Sequence, residues 1–225
     1  MVRNAFLIID MQRDFLDPDS PLLVKAGVEA IPFIEDALNA TRESRVPIFH
    51  VFRHYRHDGS DVELTRHDDW KSKGGSLMPG TPGADIPDRI APQNGEYLII
   101  KNRWSAFFQT ELDLILRRLG VEQVVLTGVQ TPNCIRGTAW DANSLGYETI
   151  VLTDATNAND KEVHEQNLRD MANIGIKLMT TAEYIASLEE DPDGPEAGLN
   201  ERIRNEVIES TVAPQPVQLY VKDND

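Results

Sequence analysis

Short apolar stretches rich in β-branched residues alternate along this chain with longer stretches of helical periodicity. The apolar stretches are mostly continuous rather than alternating with polar residues, which is typical of strands that are covered on both faces. The pattern therefore predicts an α/β fold, a three-layer α/β/α sandwich with a parallel sheet of six strands between helices. The predicted strands are residues 5–10, 46–52, 96–101, 123–128, 148–154 and 176–180.

Helices are predicted at residues 28–43, 109–119 and 160–174 and from near Pro132, because apolar residues recur there at helical spacing. Gly120 follows the second of these helices as a stop signal. Two segments depart from the alternation. Residues 53–95 are polar and rich in Gly and Pro, and a loop this long is usually functional. Residues 190–225 are predicted to be an acidic linker and C-terminal arm after a domain at 1–189, or else a disordered tail.

Composition excludes several classes of protein. The chain has 225 residues, a length that suits one α/β domain with an arm. Its formal net charge of −15 argues against a nucleic-acid partner, which would require a basic face. No apolar stretch approaches the roughly 20 residues of a membrane span, and the N-terminal sequence does not resemble a signal peptide. A single cysteine cannot form an internal disulfide, so a cytoplasmic location is expected.

Three reactive side chains lie at or just beyond the carboxyl ends of predicted strands, where open parallel sheets bind ligands. Asp10 ends the first strand, Lys101 ends the third, and Cys134 follows the fourth. Each residue also has a structural interpretation: a capping Asp, a solvated Lys, or a small buried Cys. Together they would make a nucleophilic site, since a nearby cation lowers the pKa of a thiol and a carboxylate can accept its proton.

The surroundings of Cys134 favour the nucleophile. Thr131 is a suitable N-cap and Pro132 suits the first position of a helix. Cys134 would then lie in the first turn, where free N–H groups and the positive end of the helix dipole stabilise a thiolate. The backbone N–H groups of such a turn can also bind an oxyanion.

The sequence resembles the isochorismatase-like cysteine hydrolase superfamily. The resemblance rests on "AFLIIDMQRDF", "HDGSDVE", "PGTPGADI", "KNRWSAFFQTELDLILRRLGVEQVVLTGVQTPNCIRGTAWDA" and "LTDAT", which lie in family order. It implies a sheet order of 3-2-1-4-5-6 and a catalytic triad of Asp10, Lys101 and Cys134. It also implies a cis peptide bond between Val129 and Gln130, which would direct the N–H groups of Gln130 and Cys134 at the substrate oxygen.

The sequence departs from the nicotinamidase branch of this superfamily. Members of that branch carry an Asp-x-His motif and a second His that bind a metal ion. This chain has His50, His54, His57 and His67 without that motif, so no metal and no cofactor are predicted. The amidohydrolase branch remains, similar to N-carbamoylsarcosine, ureidoacrylate and biuret amidohydrolases. It implies hydrolysis of an amide, carbamoyl or ureido C–N bond through an acyl group on Cys134.

Other interpretations stay open at this stage: a metal-assisted nicotinamidase, a non-enzymatic protein on the same fold, and a redox-sensing thiol. Within the preferred interpretation, the expected partner is a small amide or ureido molecule. Candidate substrate-binding residues, each also explicable as a core or surface residue, are Gln12, Phe15, Trp104 and Arg136. The resemblance implies a homo-oligomer, a dimer or a tetramer, and the apolar residues of the C-terminal arm are expected to contact a neighbouring chain.

Overall fold

A computed structural model describes residues 4–44 and 46–190 of the chain. Six parallel strands form one sheet in the order β3-β2-β1-β4-β5-β6, which confirms the predicted topology. This order places β1 and β4 side by side at the point where the chain reverses its direction of winding. The strands are β1 (Asn4–Ile9), β2 (Ile48–Arg53), β3 (Tyr97–Lys101), β4 (Gln123–Val129), β5 (Glu148–Asn157) and β6 (Lys177–Met179).

Helices cover both faces of the sheet. Alternate residues of β1 belong to two separate hydrophobic clusters, with Phe6 in one and Leu7 in the other. Helices α2 and α7 pack into the first cluster, and α4, α5 and α6 pack into the second. The helices are α1 (Arg13–Leu16), α2 (Gly27–Glu43), α3 (His67–Ser72), α4 (Leu112–Leu119), α5 (Arg136–Ser144), α6 (Lys161–Asn173) and α7 (Thr181–Glu190).

Helix α4 is shorter than its periodicity predicts. Its N-terminal limit is Leu112 rather than residue 109, because Gln109 has a positive φ of 55° and Thr110 turns the chain. The Thr110 hydroxyl accepts a hydrogen bond from the Leu112 N–H at 3.2 Å, and the N-cap residue Glu111 makes no side-chain capping bond. At the other end Gly120 has a φ of 72°, which confirms the predicted stop.

The long segment between β2 and β3 contains local structure. It holds α3 and two short 3₁₀ turns at Pro82–Ala84 and Asp88–Ile90. The segment folds back on itself: the Tyr55 N–H donates to the Leu77 carbonyl at 3.0 Å, and the Trp70 indole donates to the Ser76 carbonyl at 3.0 Å. It also contacts residues that follow β1 and β3, since Gln12 Nε2 donates to the Ala84 carbonyl at 3.3 Å and Asn102 Nδ2 donates to Asp61 Oδ2 at 2.9 Å.

The predicted C-terminal arm and most of the predicted linker lie outside the described residues, so the domain boundary at 189 stays a prediction. Among residues 4–44 and 46–190, no helix has the length and apolar character needed to cross a bilayer.

Candidate active site

The carboxyl end of β1 places Asp10 at the centre of the site. Asp10 has a positive φ of 56°, a conformation that Asp adopts more readily than most residues. Its N–H donates to the Val51 carbonyl at 2.9 Å, which fixes this turn against β2. On the other side β4 approaches closely: a Cβ on Gly128 would lie 2.0 Å from the Ile9 carbonyl oxygen. Only glycine fits there, and its φ of 110° also requires glycine.

Lys101 reaches the same point from the edge strand. Parallel strands are about 4.8 Å apart, so a residue on β3 lies roughly 10 Å from β1. The extended Lys101 side chain spans this gap and is fully buried. Its Nζ lies 2.7 Å from Asp10 Oδ2, 3.4 Å from Cys134 Sγ and 3.1 Å from the Arg103 carbonyl oxygen. The Lys101 ammonium group therefore contacts both Asp10 and Cys134, and the three residues that the resemblance selects lie together.

Cys134 lies in a wide turn between β4 and α5. The turn spans Thr131–Ile135 and is π-helical: the Ile135 N–H donates to the Gln130 carbonyl at 3.2 Å. The Val129–Gln130 peptide bond before it is cis. The predicted N-cap role of Thr131 is wrong, because its hydroxyl instead shares a 2.8 Å hydrogen bond with His164 Nδ1 on α6. That hydrogen bond ties the turn to the helix layer.

The Cys134 thiol is buried, with 4% of the residue exposed. Burial raises the pKa of Cys134 above its usual value, the charge of Asp10 raises it further, and Lys101 and Arg53 oppose this shift without cancelling it. The thiol is therefore protonated at neutral pH, and a base must remove its proton before it can attack. Within the described residues, Asp10 Oδ1 has no hydrogen-bond partner and can accept that proton.

Arg53 is a member of this cluster that sequence reasoning missed. It lies at the end of β2 in register with Lys101 on β3, and 1% of the residue is exposed. Its Nη1 lies 3.6 Å from Cys134 Sγ. The sequence places Arg53 directly after the predicted strand at 46–52, as the first residue of the polar segment 53–95, and this adjacency to an apolar strand is the signal that could have indicated it.

The family of the chain follows from this geometry together with the comparison of its sequence. Residues 4–183 match the model of the Isochorismatase domain. The chain belongs to the isochorismatase family. A solved isochorismatase family protein from Desulfovibrio vulgaris is 41% identical, with a TM-score of 0.78 over 81% of this chain and 96% of that one.

Relatives within the isochorismatase family have diverse names. A protein of Arabidopsis thaliana named a probable inactive nicotinamidase is 40% identical over 82% of this chain and 96% of its own. A maleamate amidohydrolase of Pseudomonas putida is 31% identical over 75% of this chain and 79% of its own. N-carbamoylsarcosine amidase and ureidoacrylate amidohydrolases are also among the relatives.

Two predicted substrate-binding residues, Gln12 and Phe15, make contacts within the fold. Gln12 is fully buried, and its side-chain amide bonds the backbone N–H and carbonyl of Arg53 at 2.8 and 2.9 Å. Its Nε2 also donates to the Ala84 carbonyl at 3.3 Å, so its polar atoms hold the end of β2 rather than a ligand. Phe15 packs into the hydrophobic cluster on the α2 side of the sheet, whereas Cys134 belongs to the cluster on the opposite side.

The other two predicted residues line a groove beside the cysteine turn. The groove has a volume of about 700 Å³, and its walls include Trp104, Arg136 and Trp140. Arg136 stacks over the Trp140 ring at 4.7 Å and pairs with Asp170 at 2.5 Å, so its charge is already partly compensated. Phe108 is half exposed and lines the same groove.

The histidines near β2 have different partners, and His54 and His57 line one surface pocket without a third metal ligand arranged beside them in the described residues. The buried His50 lies 2.8 Å from Glu96, His57 lies 3.0 Å from the Pro79 carbonyl oxygen, and His67 lies 3.2 Å from Asp68. In the part of the chain that the structure describes, no group of three His, Cys, Asp or Glu side chains is arranged to hold a metal ion. These donors do not fit the metal centre that the resemblance associates with nicotinamidases.

Proposed function

We propose that the chain is a cysteine-dependent amidohydrolase that cleaves a non-peptide C–N bond of a small molecule. The observation that carries this proposal is the single ammonium group of Lys101, which lies within 3.4 Å of both Asp10 and Cys134. A buried acid, a buried cation and a thiol in contact supply a base, charge balance and a nucleophile. Amidohydrolases among the family relatives support the choice of a C–N bond.

The mechanism begins with proton transfer from Cys134 Sγ to Asp10. The thiolate attacks the substrate carbonyl carbon, and the tetrahedral oxyanion accepts hydrogen bonds from the backbone N–H groups of Gln130 and Cys134. Asp10 returns the proton to the leaving nitrogen, which departs as ammonia or an amine and leaves a thioester on Sγ. Asp10 then takes a proton from water, which attacks the thioester carbonyl carbon and releases the acid. The departing Cys134 sulfur takes that proton from Asp10, which restores the thiol and the carboxylate.

The groove lined by Trp104 and Arg136 is proposed to admit the substrate, because it runs along the turn that carries Cys134. Its walls offer flat aromatic faces for a planar amide or ureido group. No metal is included in the proposal, because the histidine donors are scattered.

The test is release of ammonia from amides, N-carbamoyl acids, biuret-like compounds and ureidoacrylate. Cys134→Ala and Asp10→Asn are expected to lower kcat at least 10³-fold, since subtilisin loses about that much or more when one triad residue is removed. The control is Lys73→Ala, which changes an exposed side chain directly after the last residue of α3. Wild-type turnover by Cys134→Ala would reject the mechanism.

A non-enzymatic role is the second candidate. It is favoured by the burial of Cys134 and by the name of the Arabidopsis relative, a probable inactive nicotinamidase. Absence of ammonia release across the panel, together with a thiol that resists iodoacetamide in the native state, would favour this candidate. Rapid alkylation of the single cysteine, with turnover of at least one panel compound, favours the enzyme.

A further inference from the structure

The guanidinium of Arg53 is held in one place by four contacts. Its Nη1 faces Cys134 Sγ at 3.6 Å, and its Nε donates to the Tyr55 hydroxyl at 3.1 Å. Its Nη2 forms an ion pair with Glu63. The planar group also lies 4.7 Å from the centre of the Trp104 ring, a distance suited to a cation–π contact.

We propose that Arg53 is a second cationic catalytic residue, which stabilises the Cys134 thiolate together with Lys101, and that Glu63 positions it. The proposal rests on the proposed function in that it takes Cys134 as the nucleophile. It adds a residue outside the predicted triad, on a strand end that the triad does not use.

The need for a second cation follows from the movement of charge during activation. Proton transfer breaks the S–H bond of Cys134 and forms an O–H bond on Asp10, so the negative charge moves from a carboxylate to a sulfur atom. Lys101 touches both atoms and is nearer to the carboxylate, at 2.7 Å against 3.4 Å. It therefore stabilises the Asp10 carboxylate that is present before proton transfer at least as well as it stabilises the Cys134 thiolate that is formed.

Arg53 differs from Lys101 in this respect. Among its hydrogen bonds to the described residues, one goes to Sγ and none goes to the Asp10 carboxylate. Its charge also attracts Asp10, but of the two groups that exchange charge only Sγ accepts a hydrogen bond from Arg53, and that directed bond strengthens as charge develops on the sulfur. Arg53 therefore favours the thiolate over the resting thiol.

Glu63 and Tyr55 keep the guanidinium charged and oriented. Burial alone would raise the pKa of the Glu63 carboxyl, but Arg53 and the Tyr55 hydrogen bond outweigh it and hold that pKa below its usual range. Burial likewise acts to lower the pKa of Arg53, and the surrounding negative groups raise it overall. An arginine is required here because a buried lysine loses its proton more readily and lacks the planar fork.

The remaining titratable groups near Cys134 do not supply a competing charge. Asp10, Lys101 and Arg53 face the thiol from the ends of β1, β3 and β2. Burial lowers the pKa of His54 and of His164, with nearby carboxylates acting against this shift, so both imidazoles are neutral at pH 7.

The test is the acid dissociation constant of the thiol in the full chain without substrate, measured from thiolate absorbance at 240 nm against Cys134→Ser. Arg53→Gln is expected to lower this constant at least tenfold. Arg66→Gln is the matched control: Arg66 stacks on the Trp104 ring at 4.3 Å but makes no hydrogen bond to Cys134 in the described structure, and a change below about threefold is expected.

The double variant R53M/E63Q covers the case in which Arg53→Gln does not fold, because it removes the buried ion pair as a unit and leaves no unpaired charge. It too is expected to lower the constant at least tenfold. If a folded variant lacking Arg53 keeps the wild-type constant, the proposal is overturned, whether or not any amide is hydrolysed. A lowered constant in a chain that hydrolyses nothing would reject the proposed function and the catalytic role of Arg53, and would leave standing only its stabilisation of the thiolate.

Discussion

Replacement of Lys101 by methionine is expected to destabilise the fold strongly. The Lys101–Asp10 pair is 2.7 Å long, and the two side chains are 0% and 1% exposed. Removing one partner of a buried pair leaves the other charge without compensation, which typically costs about 3–5 kcal/mol. In a domain of this size, 1 kcal/mol shifts Tm by about 2–4 °C, so Lys101→Met should lower Tm by roughly 6–20 °C.

The assay is urea denaturation at pH 7, followed by circular dichroism, with Cm and m determined separately. Lys73→Met is the control, since Lys73 pairs with Asp69 at 2.8 Å in an exposed i,i+4 contact that is worth well under 1 kcal/mol. The double variant D10N/K101M should regain most of the loss, because it leaves no unpaired charge. A deficit of about 1–2 kcal/mol should persist from the lost bond to the Arg103 carbonyl.

Two outcomes would refute this reasoning. One is a loss below about 1 kcal/mol for Lys101→Met with an unchanged m-value, which would mean that water or another group compensates the Asp10 charge. The other is additivity in the double variant, because two side chains in direct contact should show a coupling free energy of about 0.5–3 kcal/mol.

Three further predictions concern other parts of the chain. Gly128→Ala should cost more than about 3 kcal/mol of unfolding free energy, because its Cβ would meet a backbone oxygen of β1 at 2.0 Å, whereas Gly146→Ala, with an open surrounding and a φ of 87°, should cost only about 1–2 kcal/mol. Burial lowers the pKa of His50, with the Glu96 carboxylate opposing, so the folded state loses stability below about pH 6.5, by up to roughly 1 kcal/mol at pH 5.5. His50→Gln should flatten this fall in Tm and His67→Gln should not. We propose that the C-terminal arm joins chains into a homo-oligomer; truncation at Asp191 should then lower the mass seen by light scattering, and an unchanged mass would reject that role.

The sequence alone predicts the architecture of this chain well. Continuous apolar strands alternate with amphipathic helices, and this pattern depends on local spacing that survives in the folded state. The order of strands came from the family resemblance, which also selected Asp10, Lys101 and Cys134. Errors of prediction include element boundaries, as at the start of α4, where a single positive φ at Gln109 shortens the helix, and whole elements, since helix α7 was not predicted.

Several features of the site required the tertiary structure. Sequence alone did not decide whether Lys101, on an edge strand, could reach Asp10 across β2; the buried and extended side chain does so. Gln12 looked like a ligand-binding amide because its neighbour Asp10 is in the site, yet its polar atoms bond the backbone of β2. Sequence proximity to a functional residue does not say which way a side chain points.

Arg53 shows most clearly what the sequence left undecided. The pattern placed it just after the predicted strand at 46–52, in the polar segment, but its burial depends on residues elsewhere in the chain, namely Glu63, Trp104 and Cys134. An arginine at a strand end is ordinarily solvated. The sequence thus determined which strands end in reactive residues, through local periodicity and motif spacing. Which of those residues are buried together was decided only by the packing of the segment between β2 and β3. Burial and charge compensation are set by contacts between distant parts of the chain.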